Sequence, residues 1–242
     1  MKKLYKNPLL ILILGLVVIS AGSITATRAA MVYQSAAERV NFSTAEISVE
    51  IKELVDNGYV TVDAKKGLSF PEVAKDQNFK IGKKYPESVK LVNNSKEETG
   101  YSEYVRVVLR KSWFKGGKNT DLDPSLINIE VADGWYKNEA ESTAEQSVYY
   151  MLTPLGCGKE VEFVKSISVD NKVTNLITQK ETETSIETEY LYSGESLFVQ
   201  IQADAVQTHN AEDAIYAAWG VKAKCDTADD GKIISISGVN TQ

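Results

Sequence analysis

Histidine is almost absent from this chain of 242 residues: His209 stands alone. A hydrolytic zinc site usually needs two histidines and a carboxylate, or another three-ligand set, around an open position for water. One histidine and no His-Glu-x-x-His segment argue against a metallopeptidase. Cysteine is nearly as scarce, and Cys157 and Cys225 match no zinc spacing with His209. Basic residues are in the minority. The first thirty residues hold Lys2, Lys3, Lys6 and Arg28 and no acid, so residues 31–242 carry 23 basic against 33 acidic side chains, a net of −10. Nucleic-acid binding relies on a basic footprint, so nucleic acid is not an expected partner. Nucleophile-elbow serines, phosphate loops and dinucleotide fingerprints are missing. Carboxylates are plentiful, but nothing singles out a glycosidase pair. No cofactor is expected.

A long apolar run occurs once, at the start. Lys2, Lys3 and Lys6 precede an uncharged stretch from Asn7 to Thr27, whose centre, Leu9 to Ile19, is almost purely aliphatic. Small residues follow at Ser20-Ala21-Gly22-Ser23. Charged, apolar and small-residue regions in that order predict an export signal over residues 1–30, cut near Ala26 to Ala30. The stretch is also just long enough to span a bilayer, so a retained anchor through residues 7–27 is the competing expectation. Either way the bulk of the chain lies outside the cytoplasm, and membrane contact is restricted to the uncut segment. The cysteine pair is then free to form a disulfide, which contributes about 4 kcal/mol in the chain-entropy model. Two free thiols are the alternative.

Helical periodicity is equally scarce; the dominant period is two. Ile47, Val49 and Ile51 alternate with polar residues. So do Val89 and Leu91, then Val105, Val107 and Leu109, then Leu197, Val199, Ile201, Ala203 and Ala205, and last Ile234 and Ile236. Val148 to Met151 and Val161 to Val169 are further β-rich runs, and Thr182 to Tyr192 is a polar strand candidate. Turn signals separate them: Asp56-Asn57-Gly58, Asn93-Asn94-Ser95, Gly116-Gly117, Ser193-Gly194 and Asp229-Asp230-Gly231. Two short helices are expected. One runs from Ala211 to Trp219 behind an Asn210 cap, stops at Gly220 and buries Ile215, Ala218 and Trp219. The other is a single turn at Asp123-Pro124-Ser125-Leu126. There is no tandem repeat and no Pro/Gly linker, so residues 31–242 form one domain: an all-β, antiparallel β-sandwich.

Several segments, taken in order, carry a resemblance. They are the export signal, Glu-Ser-Val-Lys-Leu-Val-Asn at residues 87–93, and Tyr-Val-Arg-Val-Val-Leu-Arg-Lys-Ser-Trp at residues 104–113. Leu122 to Ile127 and Tyr149-Tyr150 follow, then Ala203 to Ala211 and Ala218-Trp219-Gly220. Together they resemble the TasA/camelysin-like exported proteins of Gram-positive bacteria, which carry the SipW-type signal peptide. The resemblance implies a jelly-roll sandwich at the cell surface and, in the TasA-like members, fibres of the biofilm matrix. In those proteins the segment after the signal completes the sheet of a neighbouring subunit. This chain departs from the pattern at Met31 to Ser35, after the signal, and at the turn holding Cys157. Those departures bear on the cleavage site and the register of assembly.

The expected sites are therefore surfaces. Met31 to Ile51 either folds back on its own domain or is placed to act as a donor segment, with Val32, Val40 and Phe42 as anchors. Ile47, Val49 and Ile51 pack in cis as the first core strand. Arg106 and Arg110 share one strand face and either meet an acidic partner, such as a polysaccharide carboxylate, or pair with acids on adjacent strands. Asp121 with Asp123, and Asp226 with Asp229 and Asp230, lack calcium-loop spacing, and Asp123 reads better as a helix cap. The expected protein is a non-enzymatic component of the cell surface or extracellular matrix that associates with itself or related matrix subunits, after processing by a signal peptidase. A monomeric adhesin or glycan-binding module is the alternative. A camelysin-like metallopeptidase comes third.

Overall fold

The computed structural model describes residues 47–241, apart from 64, 77, 78, 97–99, 182–184, 227, 229 and 238. The apolar run, residues 31–46 of the donor segment and the anchors Val32, Val40 and Phe42 lie outside the described residues. No helix among the described residues is long and apolar enough to cross a membrane.

Two antiparallel sheets face each other. The first holds β1 (Val49–Val55), β2 (Gly58–Thr61), β3 (Tyr85–Asn93), β6 (Ile127–Val131) and β9 (Glu160–Val169), ordered β2-β1-β3-β9-β6. The second holds β4 (Glu103–Phe114), β7 (Trp135–Lys137), β8 (Gln146–Met151) and β12 (Ser196–Gln207), ordered β12-β4-β8-β7, with β5 (Lys118–Asn119) added beside β4. The chain crosses from sheet to sheet as it runs through β3, β4, β6, β8, β9 and β12. That interlocking gives β3-β9-β6 facing β12-β4-β8, the order of a jelly roll. An exposed hairpin, β10 (Ile177–Glu181) with β11 (Ile186–Tyr190), stands off the sheets. The long polar run beginning at Thr182 thus supplies only a short strand of this hairpin.

Alternation builds the core. Val89 and Leu91 of β3 meet Val105, Val107 and Leu109 of β4, Phe163 and Ile167 of β9, and Val199 and Ile201 of β12. Val49 and Ile51 pack against this core, but Ile47 precedes the strand and is exposed. One turn of 3-10 helix follows Asp123, whose side chain accepts from the Ser125 N–H at 2.8 Å.

The outer face of β4 is not open to solvent. A third layer covers it, made of α2 (Ala211–Trp219) and the small sheet β13 (Ala223–Asp226), β14 (Lys232–Ile236) and β15 (Val239–Asn240). Tyr104, Val108, Val148, Tyr150 and Val206 supply the sheet's side of this second core, and Ile215, Trp219, Ile233 and Ile236 supply the cover. Helix α2 has the expected bounds. Asn210 precedes it at φ 49 without a side-chain cap, and Gly220 at φ 74 ends it. Ala218 is exposed rather than buried, and Ala211 and Ala214 flank the buried side instead. At β14 the buried isoleucines are Ile233 and Ile236, not Ile234. A bulge opposite Lys224 and Cys225 inserts Ile234 and shifts the alternation. The other helix, α1 (Pro71–Lys75), closes one end of the sandwich beside β3.

Candidate interaction surface

Strand β12 is twelve residues long and has a strand neighbour, β4, on one side only among the described residues. In an antiparallel strand the N–H and C=O of one residue point the same way, and the direction alternates along the chain. The Val199 carbonyl points outward, because it accepts from the Leu68 N–H at 2.8 Å. By alternation Ile201, Ala203 and Ala205 also direct their backbone groups outward. None of the three has a backbone partner there among the described residues. The other edges are blunted. Strand β2 has four residues and β7 three, and at β6 the Lys111 ammonium donates to the Ile127 carbonyl. Short strands and lysines are ordinary edge protection, and β12 lacks both.

One end of this edge is shaped by a buried carboxylate. Glu53 points into the sandwich at 3 % exposure and accepts from the Ser69 N–H at 2.8 Å and the Phe70 N–H at 3.0 Å. Those bonds hold Phe70 in the left-handed region at φ 49, a conformation that a bulky residue adopts only when its surroundings compel it. The same turn brings Gly67 against β12. Its φ is +72, and a Cβ there would sit 2.5 Å from the Val199 carbonyl oxygen, so only glycine lets the backbone approach this closely. Beside this turn lies a groove of about 460 Å³ lined by Phe70, Phe79, Trp113, Tyr192, Leu197 and Glu195. Glu195 accepts from the Asn119 amide at 2.7 Å through one oxygen, while the other is buried without a partner. The groove is apolar with one spare acceptor.

Two more acids face inward. Glu87 of β3 is 5 % exposed and Glu103 of β4 fully buried. Burial pushes Glu87 up to about 7, assisted by the neighbouring Glu53 carboxylate. Burial likewise raises Glu103 to about 7, offset in part by the backbone of Ser48. Both Glu103 oxygens lack a hydrogen bond of normal geometry, and so does one oxygen of Glu87.

The residues singled out in the sequence are scattered. Arg106 donates to Asp204 on the neighbouring strand at 2.7 Å and lies 5.4 Å from the Trp219 ring centre. It is engaged within the chain, under the third layer. Arg110 is half-buried opposite Gln146 and Gln200. His209 is exposed in the turn between β12 and α2. Among the described residues no three potential ligands converge on a metal site. Cys157 and Cys225 are free thiols, so the expected bridge is absent from the structure. Each is engaged separately. The Cys157 thiol donates to the Ser95 carbonyl at 2.8 Å, and Cys225 sits on β13, where burial raises its pKa. The groove and the inward acids escaped the sequence reading, although Glu87 shares the parity of Val89 and Leu91, and Glu103 that of Val105 and Val107.

Comparison with known proteins finds no matching family model, no matching curated protein and no matching solved structure.

Proposed function

We propose that this is an exported structural protein of the cell surface or extracellular matrix, non-enzymatic, which associates by adding a strand to β12. The carrying observation is the outward backbone of Ile201, Ala203 and Ala205 on a long, otherwise well-paired strand. An added strand gains main-chain hydrogen bonds, each contributing about 0.5–1.5 kcal/mol net. The side chains of Ile201 and Ala203 already face the core, so a donor continues the hydrophobic layer. The resemblance to TasA-like fibre proteins supports the same reading, with residues 31–46 of another copy as the donor. Removal of the apolar N-terminal run by a signal peptidase frees that segment.

The test compares wild-type protein with Ala203→Pro. Proline removes one N–H, here the outward one, so the β4 ladder keeps its bonds. Wild type forms oligomers or fibres that grow with concentration, followed by light scattering and electron microscopy. The variant stays folded and monomeric. A wild type that remains monomeric for days across pH refutes strand addition. A second reading, a monomeric glycan-binding adhesin, rests on the aromatic groove beside Trp113 and Tyr192. Sugar-array binding by a stable monomer, lost in Tyr192→Ala, supports that alternative.

A further inference from the structure

The inner face of β4 reads Val105, Val107, Leu109, and then the same parity delivers a lysine, Lys111. The inner face of β8 likewise delivers Ser147 and Tyr149, opposite Leu109 and Val107. Lys137 of β7 lies opposite Tyr149. Across the gap, the other sheet contributes Asn128 and Ile129 of β6. These residues surround a pocket of about 170 Å³ between the sheets, on the flank where the apolar core ends.

The chemistry of the lining is one-sided. It offers two ammonium groups, a hydroxyl and a phenol, and no carboxylate lines it. Lys111 is half-buried and donates to the Ile127 carbonyl, a neutral acceptor. Lys137 is paired with Glu139 at 2.9 Å, outside the pocket lining. A buried cation without an anion is costly unless one is supplied. Burial and the charge of Lys137 both lower the Lys111 pKa, against a smaller opposite pull from Asp123. The charge of an anion seated between the two lysines opposes both effects. Drug-sized ligands use pockets of roughly 300–1,000 Å³, so this one is restricted to a single small group.

We infer that the pocket between Lys111, Lys137, Ser147 and Tyr149 binds one oxyanion group: a carboxylate, sulfate or phosphate. The two ammonium groups supply charge, and the serine and tyrosine hydroxyls supply directed donors. The group arrives either as a free inorganic ion or as the acidic substituent of a matrix polysaccharide. This site does not depend on strand addition, because it lies on the β6–β7 flank and not at the β12 edge. It also relocates the acidic-partner role expected of Arg106 and Arg110 to the next residue of the same strand.

The probes are inorganic phosphate, sulfate and glucuronate, titrated by calorimetry into the full-length protein at constant ionic strength, with chloride as the control. At least one oxyanion binds saturably with one site per chain. Lys111→Met weakens that binding by about tenfold or more, the loss expected of one charge-assisted contact. Ser147→Ala weakens it less. Methionine removes a desolvated charge while keeping the length of the side chain, so Lys111→Met folds at least as well as wild type. Binding by phosphate or sulfate alone identifies a free ion, and binding by glucuronate an acidic sugar. Affinity falls as the pH rises through the Lys111 titration. Absence of saturable binding by all three probes, or equal affinity in wild type and Lys111→Met, overturns the inference.

Discussion

Replacing Glu103 by glutamine makes the protein more stable at alkaline pH and leaves it nearly unchanged in mild acid. Glu103 is fully buried, and its pKa lies at about 7 against 4.5 for an unhindered glutamate. Between those values the folded state holds a proton that the unfolded state has lost. Stability from this group is therefore complete below the unfolded value and is lost as the pH rises through the folded one. A difference of about 2.5 pH units corresponds to about 3 kcal/mol, at roughly 1.4 kcal/mol per unit. Glutamine keeps the shape and never ionises. Urea denaturation of wild type and variant is measured at about pH 5 and about pH 8.5, on either side of the folded titration. The variant gains about 3 kcal/mol over wild type at the higher pH and within about 1 kcal/mol of nothing at the lower. Glu87→Gln behaves alike, because Glu87 is also raised to about 7. The opposite limb comes from Glu50 and Asp123. Side-chain hydrogen bonds, from Thr61 and Ser125 respectively, hold their carboxyls below the ordinary range, so that stability is lost as the pH falls through those lowered values. A Glu103→Gln effect of equal size at both pH values refutes the reasoning, since it shows that Glu103 folds in the same charge state throughout.

Trp219→Ala removes the largest side chain covering β4's outer face and costs about 3–5 kcal/mol in urea denaturation, as for a buried aromatic residue. A loss under about 1 kcal/mol contradicts the docking of the third layer described above. The two cysteines remain reduced. Intact mass has no deficit of two protons, and a thiol reagent labels both residues without prior reduction, Cys225 slowly at neutral pH because burial raises its pKa. An intact mass two protons lower refutes the free-thiol arrangement.

The sandwich was legible because its strands obey one rule, the alternation of apolar and polar residues. β3, β4 and β12 all follow it, and each buries the face that it predicts. The third layer was less legible, for a reason visible in β4. Tyr104 and Val108 are apolar on the face that Arg106 and Arg110 occupy, so the strand is amphipathic on one side and mixed on the other. Two arginines made that face read as solvent-exposed, whereas Arg106 is neutralised by Asp204 and capped by the Trp219 ring. A bulge is equally silent in sequence, and at Ile234 it shifted the buried position by one residue. The β12 edge depends on what does not pair with it, which no local pattern encodes. The lysine pocket was legible in principle. Lys111 continues the inward parity of Val107 and Leu109, and a charge at a core position is the strongest local departure from the strand rule.

In the proposed assembly, the β12 edge, unpaired on one side among the described residues, and the acidic charge of the chain do different work. The edge is indiscriminate, since backbone hydrogen bonds fit any extended segment. A net charge of −10 on residues 31–242 is long-range and repels every copy of the same chain. Repulsion therefore lowers the rate of chance edge-to-edge encounters, while the short-range ladder decides which encounters persist. The turn at Gly67 and Leu68 adds a further restriction by covering β12 at Val199. Among the described residues the stretch from Ile201 to Ala205 has outward backbone groups without a backbone partner, and there small alanine side chains alternate with Gln202 and Asp204. A donor must match that short length and bring apolar residues to the inner face alone. Selectivity of the proposed assembly thus rests on how short a stretch of β12 is unpaired among the described residues.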